Sequence, residues 1–237
     1  MTDFSRYAQQ LTLPEIGLGG QQKLQAAKVL VVGAGGLGNP LAACLATMGV
    51  GTLGIIDGDK VEVGNLHRQF LFTPSDVGQN KAYVIQQKLS LQNPDIAINY
   101  HSHHLTAENA ADIFAAHDII CDCTDNIETR FLIDTICEQL NKPLVYAAVS
   151  GWEGFVTVLN YQKKVSLRQA FPSENNFSGA ANCAVSGIAP TVCNIAANMQ
   201  ATEVVKIIIG LDGILDGEIL CFNSLVNIHR VFKLFNS

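Results

Sequence analysis

Three short stretches hold the side chains best suited to chemistry. Gly64-Asn65-Leu66-His67-Arg68-Gln69 carries an amide and an arginine. Val77-Gly78-Gln79-Asn80-Lys81 brings a lysine, and Thr124-Asp125-Asn126 an aspartate with an amide beside it. Two cations and one carboxylate around one site suit a polyphosphate with a divalent metal. Arginine and lysine offset phosphate charge, and aspartate holds the metal. Each residue also has a plainer reading. Arg68 and Lys81 could be solvated surface charges, and Asp125 could cap a helix starting near Ile127. His67 reads as structural or exposed. His101, His103 and His104 lack a zinc-like spacing with cysteine and read as a strand end and loop.

The elements that must position these residues begin at Val29–Asp59. Val29-Leu30-Val31-Val32 reads as a strand and Gly33-Ala34-Gly35-Gly36-Leu37-Gly38 as a glycine turn. An Ala/Leu-rich helical run follows, then a second strand ending at Asp57-Gly58-Asp59. Gly33, Gly35, Gly36 and Gly38 would let backbone N–H groups approach a phosphate at a helix N-terminus. An acid at the end of the second strand suits a ribose hydroxyl. The turn alone does not choose between NAD and ATP. The downstream charges suit a triphosphate, and no hydride-transfer site is evident.

Strands and helices then alternate: helix Asn80–Leu91, strand Ile96–Tyr100, helix Ala107–Ala116, strand Asp118–Asp122, helix Ile127–Leu140, strand Leu144–Val149. That alternation argues for a doubly wound, mostly parallel Rossmann-like sheet with helices on both faces. All three chemical stretches would then project toward the strand ends that carry the glycine turn. Residues 1–27 read as a helical arm broken around Gly17-Leu18-Gly19-Gly20. Phe155–Tyr161 alternates like an exposed strand. Residues 162–186 show no period and read as a long crossover loop. A long helix over Ile188–Ile209 and two closing strands, Glu218–Asn223 and Asn227–Leu234, place antiparallel strands on the C-terminal side. Residues 1–237 read as a single domain.

Composition narrows the classes. The chain has 237 residues and a formal net charge of −6, and no Lys/Arg block, which argues against nucleic acid. The apolar run 188–209 carries Asn194, Asn198, Gln200, Glu203 and Lys206, which are costly in lipid, so a membrane span is not expected. Seven cysteines, an odd number without a Cys-x-x-Cys pair, fit a reduced cytoplasmic protein. The mean hydropathy of +0.22 is high for a monomer to hide, which favours an oligomer.

Taken together, the glycine turn, Asp57-Gly58-Asp59, Asn65-Leu66-His67-Arg68-Gln69, Lys81, Asn93-Pro94 and Asp122-Cys123-Thr124-Asp125-Asn126 resemble the ThiF/MoeB/HesA family. These are bacterial relatives of the ubiquitin-activating enzymes. The resemblance runs from Arg6-Tyr7 to about Phe222. It implies a homodimeric adenylyltransferase that uses ATP and Mg²⁺. Its substrate would be the C-terminal Gly-Gly carboxylate of a small ubiquitin-like sulfur carrier protein of the ThiS/MoaD type, with pyrophosphate released. It also implies a possible sulfur-donating protein as a further partner. Carried over, Gly36 and Asp57 contact the nucleotide, with Asp59 beside them. Asn65, Arg68 and Lys81 contact the phosphates, and Asp125 binds Mg²⁺ with Asn126 adjacent. Cys183, in Asn182-Cys183-Ala184-Val185-Ser186-Gly187, matches the family cysteine that can join covalently to the carrier. Gly20-Gln21-Gln22-Lys23-Leu24 and the placing of Cys183 tilt the pathway slightly toward thiamine over molybdopterin.

Two departures stand out. The family motif Arg-Tyr-x-Arg-Gln reads Arg6-Tyr7-Ala8-Gln9-Gln10 here, so Gln9 replaces an arginine that reaches the partner subunit's ATP site. Such a finger is worth roughly 10³–10⁵ in rate in other phosphoryl-transfer enzymes. The family's two zinc-binding Cys-x-x-Cys pairs are also missing: the first should fall at Ser166-Leu167-Arg168-Gln169 and the second beyond Phe235. No zinc is therefore expected. The alternatives are a non-catalytic or weakly active paralogue holding a ubiquitin-like partner, a peptide-adenylating enzyme of natural-product synthesis, and an NAD-dependent oxidoreductase.

Overall fold

The computed structural model describes residues 4–171 and 187–234. Residues 172–186, most of the expected crossover loop and with it Cys183, lie outside the described residues. Eight strands form one sheet in the order β3-β2-β1-β4-β5-β6-β7-β8. They are β1 (Lys28–Val32), β2 (Thr52–Ile56), β3 (Ala97–His101), β4 (Ile119–Asp122), β5 (Leu144–Ser150), β6 (Glu153–Leu159), β7 (Glu218–Asn223) and β8 (Ile228–Lys233). The first five run parallel, and β6, β7 and β8 join antiparallel. The expected class, an α/β fold with antiparallel strands at the C-terminal side, is what the chain adopts.

Period-two alternation sends side chains to two separate cores. Val29, Val31, Leu53, Ile55, Ile119, Val145 and Ala147 enter one core with α2 (Gly17–Ala26), α3 (Gly38–Met48), α4 (Lys81–Gln92) and α8 (Pro190–Ile209). Leu30, Val32, Ile56, Ile120, Leu144, Tyr146 and Ala148 enter the other, beneath α5 (Ala107–Ala115) and α6 (Ile127–Leu140). Winding reverses between β1 and β4, where the chain first builds outward through β2 and β3 and then returns. That opens a crevice at the C-terminal ends of the parallel strands.

Three expectations need correction. The arm does not break at its glycines: α2 starts at Gly17, which has φ +50°, and runs on to Ala26. Gly20 sits close to its neighbours: a Cβ there would stand 3.3 Å from Ile16 and 3.5 Å from Ile209. Residues 153–159 are not an exposed strand. β6 is hydrogen-bonded on both sides, and Val156, Val158 and Leu159 are fully buried. Within 162–171 a short helix, α7 (Leu167–Ala170), was missed. Its signal was the capping box Ser166…Gln169, in which each side chain bonds the other's backbone N–H.

The long helix α8 has the length and hydropathy of a membrane span, yet it packs on α2, α3, β5 and β6. Its polar residues find protein partners. Gln200 Nε2 donates to the carbonyls of Asp122 (3.0 Å) and Val145 (3.2 Å), and Glu203 accepts from Leu215 N–H at 2.9 Å.

The N-terminal arm is sewn onto the opposite end of the sheet from the crevice. Buried Asn93 donates to the Tyr7 hydroxyl (2.9 Å) and to Ala46 carbonyl (2.7 Å), which explains in tertiary terms why Arg6-Tyr7 and Asn93-Pro94 occur together. We expect Asn93→Ala, which removes a buried donor shared by the Tyr7 hydroxyl and the Ala46 carbonyl, to destabilise the chain by about 1–3 kcal/mol in chemical denaturation.

Candidate functional site

The crevice is a cavity of about 780 Å³. It gathers the glycine turn after β1, Asp57 and Asp59 after β2, Asn65 and Arg68 from the following loop, Lys81 from α4, and Asp125 and Asn126 after β4. Every sequence-derived candidate except Gly38 and Cys183 lines it. Gly38 opens α3 behind the turn, and Cys183 lies outside the described residues.

The glycines divide by role. Gly33 has φ +93°, and a Cβ there would lie 2.8 Å from the Cys123 carbonyl oxygen. A Cβ on Gly38 would lie 1.8 Å from the Gly33 carbonyl oxygen. These two are demanded by the protein's own backbone. Gly36 has Cys193 Sγ at 3.0 Å from its would-be Cβ, while Gly35 meets only Gln69 Nε2 at 3.9 Å. Gly35 therefore leaves its backbone open to the cavity.

Asp57 is tied to the turn that it faces. Its carboxylate accepts from Ala34 N–H and from Asp59 N–H, both at 2.7 Å. Burial pushes its carboxyl above the ordinary range, against the pull of those two bonds and of Lys81. Asp59 in turn holds Lys81 through a 2.9 Å ion pair. Lys81 is only 6% exposed, so it is not a solvated surface charge. It stands at the N-terminal end of α4, where the helix dipole disfavours a cation, and Asp59 offsets that. Asn80 caps the same helix by accepting from Tyr83 N–H and donates to the carbonyls of Asp57 and Asp59. One helix start thus locks the lysine to the β2 end.

Arg68 is braced within its own loop. Its guanidinium donates to Gly64 carbonyl and to Asn65 Oδ1, each at 3.2 Å, and its stem passes Gly36. His67 is exposed on the cavity wall. The cap of α6 is Asn126, whose Oδ1 accepts from Thr129 N–H at 2.8 Å. Asp125 is thereby excluded from the capping role. It stands exposed at the rim, without a hydrogen bond or ion pair among the described residues.

Sequence reasoning missed three contributors. Arg130, 4% exposed, lines the cavity from α6. It sits four residues past the cap, which is the spacing that turns a helical side chain back toward the strand end. Cys193 and Gln200 come from α8, over sixty residues beyond β4, and no local pattern signals their arrival. Where the family resemblance places a zinc-binding pair, Ser166 and Gln169 form their capping box and Arg168 lies 4.3 Å over the Phe131 ring.

Together these features define a doubly wound α/β domain with a crevice lined by charged side chains at its switch point. A model described as "ThiF family" matches residues 7–237, and the chain belongs to that family. It is 39% identical over 234 residues to "Adenylyltransferase and sulfurtransferase MOCS3" of Caenorhabditis briggsae, covering 98% of this chain and 58% of that one. It is 37% identical over 240 residues to "Probable molybdopterin-synthase adenylyltransferase" of Porphyra purpurea, covering 100% and 62% respectively. The chain thus spans about three fifths of the length of these relatives. Among solved structures, E. coli MccB with ATP superposes at a TM-score of 0.79 with 26% identity, covering 93% of this chain and 68% of that one. The slight tilt toward thiamine finds no support here, because the relatives carry molybdopterin-type names.

The division among the glycines is testable by thermal and chemical denaturation. Gly38→Ala drives a methyl into backbone and should cost about 1–3 kcal/mol or more. Gly35→Ala should stay within about 0.5 kcal/mol of the parent.

Proposed function

We propose that this chain adenylates the C-terminal carboxylate of a small ubiquitin-like carrier ending in Gly-Gly, using ATP and releasing pyrophosphate, as part of a molybdopterin-type sulfur-transfer route. The observation that carries the reading is the convergence of Arg68, Lys81 and Asp125 on one cavity bounded by the glycine turn. The names of the sequence relatives support the substrate class and the pathway.

In this reading the triphosphate lies over the turn and α3, with the ribose hydroxyls donating to Asp57. Arg68 and Lys81 offset the charge that builds as the carrier carboxylate attacks the α-phosphate and pyrophosphate leaves. No general base is required, because that carboxylate is already ionised at neutral pH. The residues mainly orient the reactants. Mg²⁺ fits the donor set. It favours one or two carboxylates with substrate phosphates over an all-protein cage, Asp125 offers such a carboxylate, and the described residues gather no group of three or more metal-ligating side chains. Asp125 would hold the ion, which would supply further charge neutralisation. A thiolate of another protein or of Cys183 would then attack the acyl carbon of the adenylate, forming the carbon–sulfur bond as AMP leaves. A homodimer is part of the proposal.

A second reading has one observation in its favour. Gln9 stands where the family has arginine, and Arg6 is turned to the end of α4, donating to Gln92 carbonyl at 3.1 Å and pairing with Asp95 at 3.4 Å. A carrier-binding paralogue of low activity fits that loss of a mobile cation.

ATP–pyrophosphate exchange separates the two. Exchange dependent on a Gly-Gly-ended carrier supports the enzyme, and tight ATP binding without exchange supports the paralogue. Asp125→Ala should lose nearly all exchange, whereas Cys183→Ser should keep it. A pH series tests Asp57. Its raised pKa means that acidification protonates it earlier than an ordinary carboxyl, turning an acceptor into a donor facing Ala34 N–H. ATP affinity measured by calorimetry should therefore begin to fall on acidification at a higher pH than an ordinary aspartate would set, and Asp57→Asn should be weak and lack that acid limb.

A further inference from the structure

We infer that Arg130 is the positioning residue for Asp125, a role that rests on the nucleotide-site reading above. The residue just before Asp125 is held from both sides. The N–H and hydroxyl of Thr124 donate to Asp122 Oδ1 at 2.8 and 2.7 Å. Its carbonyl accepts two bonds from Arg130, from Nε at 3.2 Å and Nη2 at 2.7 Å. The residue just after Asp125 is held as well, by the Asn126 cap on α6. Asp125 is thus the one side chain left open between two fastened neighbours.

Arg130 has contacts of its own beyond that carbonyl. Its remaining nitrogen donates to the Tyr146 hydroxyl at 3.0 Å, and its guanidinium stands 5.5 Å from the Tyr146 ring centroid. Asp122 is fully buried with Oδ2 lacking a hydrogen bond; burial pushes its carboxyl above the ordinary range, and the Arg130 charge and the Thr124 bonds pull against that. A guanidinium forks onto one carbonyl, whereas an ammonium is a point charge and cannot reproduce that grip. The fork fixes where the Asp125 backbone leaves β4, and hence where its carboxylate meets an incoming metal–nucleotide complex.

The test is ATP binding by calorimetry on the full chain, with and without Mg²⁺, so it does not depend on adenylation. The parent should bind ATP more tightly with Mg²⁺. Arg130→Lys and Arg130→Met should bind Mg²⁺-free ATP like the parent but lose about tenfold or more of the Mg²⁺ gain, in line with the cost of small misplacements at a reacting site. Tyr146→Phe keeps the fork on Thr124 and should keep the gain. If Arg130→Met fails to fold, Arg130→Lys, which retains the charge opposite Asp122, carries the test. A full Mg²⁺ gain in Arg130→Lys overturns the inference, as does a parallel loss of affinity with and without Mg²⁺, which would make Arg130 a direct nucleotide contact. Missing carrier-dependent exchange alongside an Mg²⁺ gain that depends on Arg130 would refute the adenylation reading and leave this one standing.

Discussion

The whole arrangement depends on how closely two backbones approach at the switch point. Gly33, leaving β1, lies against the Cys123 carbonyl with room for no side chain, and Gly38 lies against Gly33 itself. That contact folds the turn tightly enough for α3 to begin at once, with its N-terminal N–H groups facing the crevice. It also draws the ends of β1 and β4 level, so that Thr124-Asp125-Asn126 rises beside the turn. A looser junction would separate the phosphate-facing backbone from the metal-facing carboxylate.

Charge is then held in place by short-range pairing rather than by net excess. The chain is acidic overall, yet the crevice carries Arg68 and Lys81, each hydrogen-bonded before any ligand arrives. Buried or half-buried cations cost desolvation unless paired. Asp59, just past the end of β2, answers for Lys81 at 2.9 Å, and Asn65 Oδ1 with the Gly64 carbonyl accepts from Arg68. A pre-paired site reorganises little when charge develops, which is the condition for electrostatic stabilisation.

Two departures from the family pattern have different structural consequences. The segment expected to carry half a zinc site is tied down by a capping box, by an Arg168–Phe131 stack, and by buried Asn160 donating to Asp134 at 2.9 Å. Local hydrogen bonding thus supplies anchorage to 162–171. For the Gln9 departure no such local substitute is seen among the described residues: Arg6, in an exposed pair, turns to Asp95 and the Gln92 carbonyl.

Much of this was legible in the residues alone. The strand–glycine–helix–strand run, the alternating pattern and the terminal acids depend on local periodicity and backbone sterics, which act within a few residues, so α6 was placed at Ile127–Leu140 and nearly all candidate site residues at one crevice. What only the tertiary structure decided was each side chain's employment: Asn126 as the cap in place of Asp125, Lys81 buried against Asp59, Arg130 clamped onto Thr124, and Cys193 and Gln200 delivered from α8. These follow from contacts between segments far apart in the chain. No residue pattern specifies them before the sheet has set which strand ends lie side by side.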